Sequence, residues 1–373
     1  MSAPEDITAR NARWMTIATK VGTPLVSVLL AMVVGSLVVA LTGGNPAAAF
    51  AALFEGAFGN PYQIGETLMR STPLIFTGLA IAYGFRAGLF NIGAEGQLFM
   101  GALAATWLGL ALQDLPWYVL IPVMLVGSIA AGAAWAFVPA LLKAKVGAHE
   151  VITTMMFSWI ARYFVAYILG GPMKALDPAT GLPGVLPVSA NLPVQATLPT
   201  FTTLLPGLPV SNAHVGFIIA ILLAVGVWLL LKYTTLGYEA RAVGFNPLAA
   251  QNGGVSVAWT TVASLCISGA LAGMAGANEV MGVHGRLSSG FSAGFGFTGI
   301  AVALLAKNHP LAVIPAAILF GGLSAGSGYM QLNANVPDKL VEIIQALVIF
   351  FVAAETVVTW FIRRRQKEAT KHG

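Results

Sequence analysis

Of 373 residues, 57% are hydrophobic and 9% are charged, against roughly 25% charged in a soluble globular chain, so composition excludes a water-soluble monomer. The net charge of +5 does not point to nucleic acid, because the basic residues gather at the ends of apolar runs, where the positive-inside rule accounts for them. The single cysteine, Cys266, lies inside a hydrophobic run, which excludes a disulfide framework and a thiolate metal cluster.

In chain order, the sequence predicts an all-α, polytopic membrane protein of about ten transmembrane helices with both termini cytoplasmic, forming one membrane domain over 1–373. Residues 1–20 are polar and of mixed charge and read as a cytoplasmic tail. The apolar run after them has no A-x-A cleavage site, so the first helix is expected to stay in the protein. Spans are predicted at 21–41, 71–88, 97–112, 117–142, 151–169, 215–231, 255–281, 291–306, 311–328 and 340–361. With the N-terminus inside, Arg10, Arg86, Lys143, Lys232, Lys307 and the basic tail 362–373 all face the cytoplasm; the opposite orientation would put them outside.

Two stretches on the outer side do not span. Residues 45–60 are rich in Ala, Phe and Leu but too short to cross, and are expected as a helix lying in the interface. Residues 170–210 hold eight prolines and almost no charge, which forbids a continuous helix and predicts an extended, turn-rich outer loop. A Gly-rich stretch followed by an Ala/Leu run occurs at 88–105 and again at 289–306, a similarity of the kind that internal repeats in transporters produce.

The cytoplasmic loop 232–254 is polar and carries helix punctuation. In TTLGYEARAVGFNPLAAQNGGV (234–255), Asn246 is suited to cap a helix, Pro247 to open it, and Gly253 with Gly254 to end it. A short helix parallel to the membrane is expected. Glu239 and Arg241, two positions apart, point to different sides of a helix and so face a partner more readily than each other.

LGYEARAVGFNPLAAQNGGV resembles the coupling loop of ABC importer permeases of the ribose, branched-chain amino acid and nucleoside group. GLFNIGAEGQLFMGALAA (88–105) resembles the signature of the nucleoside and simple-sugar branch, and GAHEVITTMMFSWIA (147–161) and GFGFTGIAVALLAKNHP (294–310) are similar to two further blocks of it. The resemblance implies a multi-pass permease of the bacterial inner membrane. It also implies three partners: a second permease, an ATP-binding subunit and an extracytoplasmic substrate-binding lipoprotein. The solute would be a nucleoside or a sugar, and Gly237, Glu239, Arg241, Ala242, Gly244, Asn246 and Pro247 would form the piece that fits the ATPase. The chain has no G-x-x-x-x-G-K-[ST] loop of its own, so ATP is expected on the partner, with no cofactor, catalytic residue or metal site here.

Asn91, Glu95 and Gln97, with Gly93 and Gly96 among them, predict a broken helix beside the translocation path. The alternative is a tight cytoplasmic turn in which Arg86 and Glu95 balance each other. Asn278 is a further path candidate, although it and Glu279, like Glu342 and Gln345, fall near span ends where rim residues are common. Arg162 lies inside a span and is expected to be paired or to snorkel. His149–Glu150 lacks the second histidine of a zinc motif, since Thr153 stands there. Gly269, Gly273 and Gly276 predict close helix packing. An ion-coupled secondary transporter is the competing reading, disfavoured because most carboxylates sit near span ends; a membrane-embedded enzyme lacks a nucleophile with a base.

Overall fold

The computed structural model describes residues 26–352 and 354, except 178, 179, 206, 208 and 338. The tails 1–20 and 362–373 lie outside the described residues. The described chain is helical and contains no strand beyond isolated bridges. Helices α1 (Val26–Leu41) and α2 (Pro46–Phe58) come first in it. The described chain divides into two units, residues 57–325 and a second one made of the described residues within 1–56 and 326–373.

The larger unit begins with α3, which runs Pro61–Arg86. Asn60 caps it by accepting from Gln63 N at 3.0 Å, and Pro61 opens it. It therefore starts ten residues before the predicted 71–88, because a cap and an N1 proline build helix through the polar turns holding Gln63, Glu66 and Arg70, where hydropathy is silent. Then follow α4 (Ala94–Ala111), α5 (Trp117–Val146), α6 (Glu150–Gly170), the single turn α7 (Phe201–Leu204) and α8 (Gly216–Tyr233). The elbow helices α9 (Thr235–Phe245) and α10 (Pro247–Asn252) lead into α11 (Val257–Glu279), a π-helical turn Val280–His284, α12 (Phe295–Leu305) and α13 (Pro310–Ala334). Among the described residues, five helices are long and apolar enough to cross a membrane: α5, α6, α8, α11 with its π turn, and α13. This is a multi-pass membrane protein.

The predicted span 291–306 is corrected. Its helix is α12, of 11 residues, roughly 17 Å long and about half of a ~30 Å hydrocarbon core. Gly294, at φ +82, stands at its N-terminus, and residues 290–294 are not helical.

α11 is the centre of this unit. In its most apolar stretch 61% of residues are buried, against 22–28% for α5, α6 and α8. The small-residue stripe explains its position. A methyl built on Gly269, Gly273 or Gly276 would lie 2.5 Å from Gly132 O, 2.3 Å from Ser128 O and 2.0 Å from Leu98 O, so α4 and α5 press their backbones directly onto it.

The Pro-rich loop after α6 is laced to the far end of α11. Ser189 N donates to Leu287 O at 2.9 Å, Leu192 N to Gly285 O at 2.7 Å and Leu198 N to Met281 O at 2.8 Å. Those bonds satisfy backbone groups that the prolines bar from any helix.

The smaller unit is built from α1, α2 up to residue 56, the last turns of α13, and α14 over 339–352. Asn45 caps α2 through Ala47 N at 3.0 Å. Gly56 and Gly326 let α2 and α13 touch: a methyl on either would meet Tyr329 Cβ at 2.3 Å or Leu53 O at 2.1 Å.

Candidate functional site

After α3 the chain does not leave the larger unit but climbs back into it. Asn91, wholly buried, donates to Ser268 Oγ at 2.8 Å, and Ser268 in turn donates to Ala80 O at 2.6 Å. Ser268 lies roughly 17 Å along α11 from its first residue, and Ala80 about 9 Å before the end of α3, so Asn91 sits well inside the helix layer. Its remaining capacity is taken by Gln97 and Gly93. The Asn91 amide donates to Gln97 Oε1 at 2.8 Å, while its carbonyl accepts from Gln97 Nε2 at 3.2 Å and Gly93 N at 3.0 Å. Irregular backbone at this depth is tolerated because each polar atom has a protein partner.

Two helix N-termini meet at this depth. Glu95, in the first turn of α4, accepts from Ser292 Oγ at 2.6 Å and from Gly296 N, in the first turn of α12, at 2.7 Å. Thr77 Oγ1 donates to Phe295 O at 3.0 Å, tying the same turn to α3. Of the two N-termini, that of α12 gives Glu95 an amide, Gly296 N, while Gly96 N of α4 donates to Ser158 Oγ at 3.3 Å. A methyl on Gly296 would fall 2.3 Å from Glu95 N; only glycine permits this approach. The two Gly-rich stretches seen in the sequence, 88–105 and 289–306, therefore converge on one junction. Arg86 does not balance Glu95: its Nε donates to Asn308 O at 2.9 Å.

The elbow is the second element of the site. Thr234 caps α9 through Gly237 N at 3.1 Å, and Asn246 caps α10 through Ala249 N at 3.1 Å, with Pro247 at the first position. α9, which holds Glu239 and Arg241, is a helix in its own right. Its residues Gly237, Ala240 and Val243 are buried. Gly237 lies on α8, where a methyl would come 2.1 Å from Leu230 O; Gly244 lies on the end of α3, where a methyl would come 2.2 Å from Arg86 O. Gly88, opposite Gly244, takes φ +71, a left-handed turn that glycine adopts without strain. Glu239 and Arg241 do not pair. Thr260 Oγ1 of α11 donates to Glu239 Oε2 at 3.5 Å, and Arg241 Nε donates to Gly237 O at 3.2 Å. Ala242 is half-buried, and Asn246 and Pro247 are exposed. The outward side is apolar: Tyr238, Phe245 and Leu248 are exposed, Phe245 at 87%.

At the opposite end of α11, Asn278 and Glu279 are 2% and 3% exposed, which corrects the placing of Glu279 on a rim. The π turn Val280–His284 brings His284 Nε2 to 3.6 Å from Glu279 Oε2, and Asn278 Nδ2 donates to Glu279 Oε1 at 3.4 Å. His214, just before α8, is packed against Gly216 and Gly282. Its Nδ1 accepts from Gly216 N at 3.2 Å, and loss of water pushes its pKa down to about 4. His149–Glu150 does structural work, Glu150 pairing with Lys143 at 2.9 Å. Sequence reasoning does not single out Ser268, Ser292, Gly296 or His214. Only Gly296 carries a signal, its place in a Gly-rich run ahead of apolar residues.

The family described as branched-chain amino acid transport system / permease component matches residues 63–353. The chain is 39% identical to a guanosine ABC transporter permease of Bacillus subtilis, over 92% of this chain and 96% of that one. It is 38% identical to a glucose ABC transporter permease of Haloferax volcanii, over 88% and 86%, and 33% identical to a nucleoside ABC transporter permease of Lactococcus lactis, over 94% and 97%. Each of those organisms supplies a second, more distant relative at 25–28% identity across about three quarters of this chain. The geometry of elbow and junction thus belongs to a chain that is a member of the branched-chain amino acid transport system permease family.

Proposed function

We propose that this chain is the membrane-spanning permease subunit of an ABC importer for nucleosides or related sugars, driven by a separate ATP-binding subunit at the elbow. The observation that carries the reading is the exposed apolar face of α9–α10 on a rigid base. Tyr238, Phe245 and Leu248 project outward, while Gly237 and Gly244 lock α9 onto α8 and α3. A push on that face reaches Gly88 directly, and through it the segment 89–97 whose polar groups hold α3, α4, α11 and α12 together. Closure of a partner around the elbow would shift a two-state packing rather than bend a soft loop.

On this reading the elbow end is cytoplasmic, both termini are cytoplasmic, and the chain has about ten spans in a bacterial inner membrane, with α12 crossing only half of it. The opposite end, where Leu182, Val185, Leu186 and Val194 of the Pro-rich loop are exposed, would receive a substrate-binding lipoprotein. Asn91, Glu95, Gln97 and Asn278 border the path. Names of the relatives support nucleoside or sugar as solute, and the paired relatives in three organisms support a second, different permease subunit.

A buried carboxylate beside a discontinuous helix, as at Glu95 and α12, is also what an ion-coupled carrier uses. Here each carboxylate oxygen already accepts one hydrogen bond, from Ser292 and from Gly296 N, which favours a structural clamp. Reconstituting the chain with its second permease, ATP-binding and substrate-binding subunits, beside the chain alone, decides between them. ATP-dependent nucleoside uptake that is insensitive to proton and sodium gradients is expected; uptake by this chain alone along an ion gradient would overturn the proposal.

A further inference from the structure

α6 and its Arg162 take no part in the elbow or the junction. On the proposed orientation α6 enters the membrane at Glu150 and leaves at Gly170. Arg162 lies about 18 Å along the axis from Glu150 and about 12 Å from Gly170, well inside the hydrocarbon layer. The outer surface is the nearer one, so snorkelling would need the side chain to lean toward the C-terminal end of α6. Side chains on a helix lean the other way, and this one does: its guanidinium lies over the Trp159 ring, 5.5 Å from the centroid and one turn back toward Glu150. Arg162 is exposed, and among the described residues no carboxylate pairs with it. Glu95 is near enough to feel its charge but is already bonded to Ser292 and Gly296.

One neighbour at that depth is polar-tipped as well. Tyr163 is 68% exposed, and a phenol facing acyl chains has no acceptor, whereas Tyr167, about 5 Å from the end of α6, reaches the interface, where tyrosine is favoured. Ile152, Met156, Tyr163 and Tyr167 follow one another at helical spacing along the exposed side, with Trp159 stacked on Tyr163 at 6.3 Å. A charged residue pointed into the hydrocarbon layer is costly unless another protein group or a water-filled cavity meets it, and on an exposed helix face either one needs a second protein to keep lipid away.

We infer that this face of α6 is the seat of the second permease subunit, a different chain of the same family, which sets a side-chain carboxylate or backbone carbonyls against Arg162. The inference rests on the proposed reading that such a subunit is present.

The test uses the assembled importer, purified in detergent through a tag on this chain. Tyr163, Met156 and, as control, Leu222 on the exposed side of α8 are replaced one at a time by the photo-cross-linking benzoylphenylalanine, and the products are identified by mass. Cross-links from 163 and 156 to the second permease, with none from 222, are expected. R162E should lower the recovered second permease at least tenfold while the chain keeps its melting temperature, and R162M should lower it less. If no second permease accompanies the unsubstituted chain, the functional reading itself fails. If it does, the inference alone is overturned by cross-links between two copies of this chain, by none at 163 and 156 from an intact complex, or by an R162E complex that stays whole and loses only uptake.

Discussion

The elbow and the junction invert each other's chemistry. At the junction, polar atoms are buried and nearly every one has a partner in the chain: Asn91 with Gln97 and Ser268, Glu95 with Ser292 and Gly296. At the elbow, apolar side chains stand exposed on capped, tightly seated helices, Phe245 at 87% and Leu248 at 73%. The first arrangement stabilises the chain and leaves little unmet hydrogen-bonding need for another molecule to satisfy. The second contributes little to the chain's own stability and is the face that, on the proposed reading, the ATP-binding subunit covers. Substitutions at the two places should therefore separate folding from function.

The largest effect is expected at the junction. Glu95→Ala leaves Gly296 N and Ser292 without their buried acceptor, at a cost of about 3 kcal/mol. Thermal unfolding in detergent should show this as a drop in melting temperature together with loss of uptake. Unchanged stability would mean that the clamp is not what holds α12 to α4.

The far end of α11 allows a comparable test by pH. His214 is neutral and buried, with its pKa held at about 4, whereas in the unfolded chain it would protonate near 6.5. The unfolded state thus binds the extra proton between those values, so this contribution is complete above pH 6.5 and declines as pH falls to 4, by about 3 kcal/mol in all. His214→Gln should flatten that part of the stability profile relative to the parent; profiles that run parallel would count against a buried, desolvated imidazole.

Gly244→Val is expected to cost about 2 kcal/mol by overpacking against Arg86 and Gly88 and to uncouple ATP hydrolysis from uptake, because it moves the base of the elbow. Hydrolysis and uptake measured together would reveal a variant that is merely less stable, since both would then fall in step. The smallest effect on stability, within about 0.5 kcal/mol, is expected for Phe245→Ala with Leu248→Ala, yet ATP-binding subunit recovered with the chain should fall more than tenfold. Full recovery would remove the elbow's assigned role and leave the comparison without meaning.

Much of the elbow is legible in the sequence, because its signals are local. Thr234 and Asn246 cap helices by accepting from amides three positions on, and Pro247 opens one by its fixed φ. Even so, α9 reads there only as an approach to a single short helix, since its amphipathic pattern is brief. The start of α3 escapes for the opposite reason. Asn60 and Pro61 are strong start signals, but a search for apolar runs passes over Gln63, Glu66 and Arg70. The short α12 reads as a full span because apolar composition continues through Phe291 and does not register where helical bonds begin.

What the amino-acid sequence determined by itself is whatever depends on composition and near neighbours: residence in a membrane, helices rather than strands, the capped turns of the elbow, and a loop after α6 that its prolines keep from being helical. What only the tertiary structure decided depends on residues far apart in the chain. Glu95 finds Ser292 and Gly296 about two hundred positions away, Asn91 finds Ser268, and Gly88 finds Gly244. Arg162, by contrast, is brought to an exposed face. A hydrogen-bonding group states its need locally, but the partner that meets it is chosen by packing, and packing is set by where the glycines of α11 let whole helices approach.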